Sequence, residues 1–161
     1  MASAINLSTA GVFLAYCVEA SAGTRPTSGY TKLTGLKSTP SLNPAPETLE
    51  STTLDETEFK TYVKGLRDLG GSLEFTFNLT QNLVNEWGTL VTAYETAKAS
   101  NKATWFTVVI PGITNSFYFT GEPSAMGVPE TSVNSILEIT NYITPTNAPT
   151  SAAKPSITSA G

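Results

Sequence analysis

The chain has 161 residues, of which 9 are basic and 13 acidic, for a net charge of −4; this length suits one domain, and the charge offers no general attraction to nucleic acid or anionic lipid. Only 14% of the residues are charged, against about 25% in an average soluble domain, while Ser and Thr together supply 42 of the 161, so the surface is hydroxyl-rich. There is no histidine and one cysteine, Cys17, which excludes imidazole triads, CxxC redox pairs, Cys/His zinc sites and an intrachain disulfide.

In chain order, a short arm over residues 1–11 leads into a β-branched and aromatic run at 12–19, read as the first core strand. A signal-peptide reading of GVFLAYCV is opposed by the absence of any Lys or Arg before Arg25. The same strand reading makes Cys17 a small buried hydrophobe. A second strand is expected at 30–33. Pro40, Pro44 and Pro46 then exclude a helix and predict an extended edge or irregular path, before a strand resumes at 47–53. Residues 54–68 hold 7 of the 22 charges and read as a charged loop closed by Gly70-Gly71. The next run alternates strictly: Leu73, Phe75, Phe77 and Leu79 point one way, Ser72, Glu74, Thr76 and Asn78 the other, which predicts a half-buried strand over 72–79.

One helix is expected after Thr80, a good N-cap. Leu83, Trp87, Leu90, Val91 and Tyr94 form its core face at helical spacing. The remainder reads as strands at 103–110 and 115–120, with Trp105, Phe117 and Phe119 in core positions, then a loop at 121–130 and a strand over 131–143. The Pro/Ser/Thr/Ala composition of residues 145–161 cannot build a core and predicts a free tail or linker, leaving 12–144 as the domain.

No constellation for catalysis emerges. The acidic cluster from Glu47 to Glu58 lacks the spaced Asp/Asn/Gly pattern of a calcium loop, and Gly70-Gly71 lacks the GxxxxGK[ST] context of a phosphate loop. The expectation is a protein that is not an enzyme, with no metal and no cofactor. Its weakly charged surface is poorly protected against association, as suits a chain covered by copies of itself.

Residues 39–78, TPSLNPAPETLESTTLDETEFKTYVKGLRDLGGSLEFTFN, resemble the signature region of the tail tube (major tail) proteins of long, non-contractile-tailed bacteriophages. The helix with Trp87 and Tyr94, TWFTVVIPG, FYFTGEPSAMGVPE and the stretch through Ile143-Thr144-Pro145 follow in the same order. The resemblance implies a mainly β fold: two packed antiparallel sheets, a β-sandwich or half-barrel, flanked by one α-helix, with a long inter-strand loop and extended terminal arms. It implies hexameric rings stacked into the hollow tail tube of the virion, through which DNA passes without specific binding. The partners implied are other copies of the chain, the tape-measure protein and the tail terminator and distal tail proteins, with no membrane.

By the same resemblance the loop at 54–69, carrying Asp55, Glu56, Glu58, Lys60, Lys64, Arg67 and Asp68, reaches the adjacent ring. A lumen of carboxylates and hydroxyls would repel phosphate, the inverse of a basic retaining groove. The strands bordering the loop therefore offer Glu50 and Glu74 as lumen-facing residues. The alternative from another class is a monomeric β-sandwich adhesion or carbohydrate-binding module, which would need an exposed row of aromatic residues.

Overall fold

The computed structural model describes residues 7–158; of the arm expected at 1–11, residues 1–6 lie outside them. The elements are β1 (Phe13–Val18), β2 (Tyr30–Leu33), β3 (Leu36–Ser38), β4 (Pro46–Glu50), β5 (Tyr62–Arg67), β6 (Leu73–Asn78), α1 (Gln81–Ala99), β7 (Thr104–Val109), β8 (Asn115–Pro123), β9 (Glu138–Pro145), β10 (Thr150–Ala153) and β11 (Ile157–Thr158). The chain is mainly β, a curled half-barrel with one helix and a separate β4–β5 ribbon. The curled sheet runs β11-β2-β1-β7-β8-β9-β6-β3, with β10 added beside β8. Its pairings are antiparallel except for the β11–β2 contact.

The curl originates in β8. Residues 117–120 pair with β7, whereas 121–123 pair with β9. Gly121 sits at the changeover, where a Cβ would lie 2.5 Å from the Ile143 Cγ2, so the close approach of β8 to β9 needs a residue without a side chain. The two layers expected from the sequence are thus halves of one sheet sharing a strand. Folding back places Phe75 of β6 against Phe119 of β8, with ring centroids 6.4 Å apart, and Phe119 against Phe106 of β7 at 5.4 Å. The alternation of β6 drives this, because Leu73, Phe75 and Phe77 are all buried.

Helix α1 closes the open side. The Thr80 hydroxyl accepts from the Leu83 amide at 3.2 Å, satisfying one of the four free N–H groups of the first turn. Leu83, Trp87, Leu90 and Ala97 are buried and Val91 packs against the same core. Tyr94 departs from the expected core face: it is half-buried at the rim, where its hydroxyl accepts from Lys98 Nζ at 3.2 Å. Lys98 also pairs with Glu122, so the last turn of the helix ends in a polar clasp instead of apolar contact. The Glu86 carboxylate ties the helix to the β2–β3 turn by accepting from the amide and hydroxyl of Thr34 at 2.8 and 3.0 Å.

A second, smaller cluster lies on the opposite face of the same sheet. Ala15, Tyr30 and Tyr118 are buried there beneath Phe13, Cys17, Trp105, Ala152 and Ile157. Trp105 therefore belongs to this outer face and not to the main core. Burial raises the Cys17 thiol pKa, which disfavours the thiolate. Within the described residues the C-terminal segment is not a free tail: β10 pairs with β8 and β11 with β2. Thr150–Ala153 and Ile157–Thr158 fall between and after Pro149 and Pro155, so the prolines punctuate two short strands and no ladder position loses its donor.

The strand expected over 131–143 begins only at Glu138. Residues 124–137 form a long loop in which Asn134 takes the left-handed conformation with φ 58°, and Val128, Val133 and Ile136 point to solvent. Phe117, placed in the core by its spacing from Phe119, is 36% exposed at the open mouth of the half-barrel beside Val108 and Ile110.

The outer face is pinned by Glu19. Its buried carboxylate accepts from the amides of Gly23 and Ala103, each at 3.0 Å, and from Trp105 Nε1 at 2.8 Å. Burial pushes the Glu19 pKa up, but the three donors outweigh it and hold the carboxyl below its ordinary value of 4.5. A depressed carboxyl contributes stability above the unfolded-state pKa and loses it as pH falls through the folded one. Glu19→Gln, which turns an amide N–H toward one of three donors, should cost about 1–3 kcal/mol at neutral pH. Urea denaturation between pH 7 and 3 should show that difference shrinking with acidification. A constant difference across the range would mean that the carboxylate charge contributes nothing.

Candidate functional site

The most exposed structured part of the chain is the β4–β5 ribbon. The two strands pair with each other, Glu50 opposite Tyr62 and Thr48 opposite Lys64, and with no strand of the main sheet. The charged stretch at 54–69, expected as a loop, is therefore strand over Tyr62–Arg67. Asp55, Glu56, Glu58 and Lys60 lie in the tip, Lys64 and Arg67 lie on β5, and Asp68 follows it, its carboxylate accepting from the Gly70 amide at 2.8 Å.

Local bonds give the ribbon a defined shape. The Ser51 amide donates to the Thr61 carbonyl at 2.8 Å, and the Thr61 amide to the Thr52 hydroxyl at 2.9 Å. Glu56 turns its carboxylate inward, accepting from the amides of Glu58 and Phe59 at 2.9 and 3.3 Å. At the base Arg67 donates to the Pro44 carbonyl at 2.7 Å and to the Asn43 side chain. What the ribbon lacks is cover: Leu54 is 106% exposed, Leu66 84% and Phe59 75%, with Leu49, Tyr62 and Val63 also in solvent. None of its charges forms an ion pair, because among the described residues the pairs are Lys37 with Glu138 and Lys98 with Glu122.

A second surface is the outer face of β3, β6 and β9. Glu74 is exposed opposite Tyr142, Thr76 faces Thr140 with hydroxyls 3.1 Å apart, and Ser72 and Thr144 approach to 3.4 Å. Glu138, on the same face, is engaged by Lys37. Among the described residues Glu74 makes no ion pair and is flanked by hydroxyls. The 124–137 loop overhangs the Thr76/Thr140 end, enclosing a cleft of about 690 Å³.

The structure separates the two carboxylates grouped by the sequence. Glu74 is on the main sheet, and Glu50 is on the detached ribbon. They do not share a face. The loop expected at 121–130 extends further than sequence reasoning places it, through residues 131–137, expected as strand although the SVNS segment carries a turn signal.

No family model matches the chain, and no curated protein matches it by sequence. Among solved structures the fold is similar to that of a chain in the cryo-EM structure of the anti-feeding prophage baseplate, 6-fold symmetrised, with a TM-score of 0.56 at 9% identity over 95% of this chain and 97% of the other.

Proposed function

We propose that this chain is a structural subunit of a bacteriophage tail, and that it polymerises through stacked six-fold rings into a hollow tube that conducts DNA. The observation that carries the reading is the β4–β5 ribbon. A soluble monomer rarely leaves this many large apolar side chains uncovered on one element without an interaction to cover them. Leu49, Leu54, Phe59, Tyr62, Val63 and Leu66 all stand in solvent on one projecting element. The fold likeness to a chain of a six-fold symmetrised assembly supports the same reading. In such a tube Glu74 and the surrounding Ser and Thr hydroxyls would face the lumen, and other tail proteins would meet the tube at its ends and along its bore.

Replacing residues 51–61 by an Asn-Gly turn tests this, since it shortens the ribbon and leaves the half-barrel untouched. Light scattering after size exclusion should find ring-sized or larger species for the wild type at rising concentration. The shortened chain should remain monomeric with an unchanged melting temperature. A wild type that stays monomeric at every concentration would instead fit the adhesion or carbohydrate-binding alternative.

A further inference from the structure

Given self-assembly through the ribbon, the surface that receives it follows from where the unpaired charges lie. Outside the ribbon the basic residues are Arg25, Lys32, Lys37, Lys98, Lys102 and Lys154, and Lys37 and Lys98 are already paired. Of the remaining four, Arg25 and Lys32 stand on the outer face of β1, β2 and β8. The Arg25 guanidinium lies 4.4 Å from the Tyr118 ring centroid, and Lys32 Nζ lies 4.9 Å from that of Phe13. Lys154 is exposed between Ala152 and Ile157, both of which pack on that same cluster. The one carboxylate in the cluster, Glu19, is buried and saturated by three donors. Among the described residues this face thus presents three cations that make no ion pair, Arg25 over the buried Tyr118 ring, Lys32 over the half-buried Phe13 ring and Lys154 exposed beside them.

The complementary surface is on the same chain. At the ribbon tip Asp55 and Glu58 make no ion pair among the described residues, and they flank Leu54 and Phe59, both strongly exposed. Glu56 is occupied in holding the turn.

We propose that the ribbon tip of one copy docks on the Arg25/Lys32/Lys154 face of a second copy, Asp55 and Glu58 meeting the cations and Phe59 meeting the aromatic cluster beneath them. Donor and receptor are different surfaces, so the contact is heterologous and propagates instead of closing in a pair. That is the geometry an open-ended stack requires. The proposal rests on the self-assembly reading above and adds to it the identity of the receiving face.

Charge exchange tests it. Lys32 and Lys154 are exposed and their reversal leaves the Arg25–Tyr118 stack in place, so Lys32→Glu/Lys154→Glu should fold, with a melting temperature lowered only slightly by loss of the Lys32–Phe13 contact. Like charges opposed across an interface disfavour association strongly. Sedimentation velocity should therefore show the concentration needed for assembly rising about tenfold or more in this variant, and equally in Asp55→Lys/Glu58→Lys. The chain carrying all four substitutions should recover assembly, because the attraction is restored with its signs exchanged.

If the wild type assembles and Lys32→Glu/Lys154→Glu assembles at the same concentration, the receiving face is elsewhere and the self-assembly reading stands. A wild type that never associates removes both. If the wild type instead binds duplex DNA through this face, with binding lost in Lys32→Glu/Lys154→Glu and assembly unaffected, the face serves nucleic acid and the docking proposal is overturned.

Discussion

Trp87→Ala should destabilise the isolated subunit by about 3–5 kcal/mol, the range for removing a large core aromatic, and that is a major part of the roughly 5–15 kcal/mol that holds a domain together. Trp87 is 1% exposed, meets Phe77 edge to face with centroids 5.9 Å apart, and donates from Nε1 to the Ser124 carbonyl at 2.8 Å. The substitution therefore opens a cavity between α1 and β6 and releases the first residue of the 124–137 loop together. Trp87→Phe separates the effects, since it keeps an aromatic ring but removes the donor to Ser124. It should cost less, with about 1–2 kcal/mol of its loss belonging to the hydrogen bond. Urea denaturation monitored by circular dichroism measures both. A loss below about 1 kcal/mol for Trp87→Ala would mean that the helix does not close the half-barrel through this residue.

In the proposed tube, Glu74→Lys should leave assembly intact and change how the channel treats DNA. The side chain is exposed on β6 opposite Tyr142 and makes no ion pair among the described residues, so its reversal leaves the core unchanged. In a six-fold ring it alters the wall by two charges in each of six subunits, and stacked rings repeat the change along the bore. Screening confines each contact to about 8 Å at physiological salt, within reach of DNA held in a narrow channel. Virions carrying the variant should eject DNA more slowly, most markedly at low salt, and assembled tubes should retain DNA that the wild type releases. Ejection at the wild-type rate at both low and high salt would remove Glu74 from the lumen. Glu50 stands on the ribbon opposite Tyr62 and does not share the face of Glu74.

The elements legible in the sequence are those whose burial pattern is set within the element itself. Leu73, Phe75 and Phe77 alternate because one face of β6 is core and the other is solvent. Thr80 and the spacing of Leu83, Trp87 and Leu90 define α1 for the same kind of reason. Strand β5 was hidden because both faces of the ribbon are exposed, so Lys64 and Arg67 alternate with nothing buried and read as loop. Tyr94 fits the helical stripe by spacing, yet its position in the last turns brings it to the rim, where Lys98 and Glu122 lie. The strands at Thr150–Ala153 and Ile157–Thr158 have little character of their own and exist through pairing with β8 and β2, a nonlocal contact that local composition does not record. Val133 and Ile136 suggested a strand because they are apolar, but among the described residues nothing covers them. The charge of the ribbon was visible in the sequence, whereas its separation from Glu74 required the strand register.

Electron microscopy of the purified wild-type protein tests the central claim of self-assembly most directly. Negative-stain images over a rising concentration series should contain six-fold rings and hollow filaments with a regular axial repeat, and the chain with residues 51–61 shortened should contain neither. Uniform single particles of monomer size at every concentration, in the wild type as in the shortened chain, would contradict it.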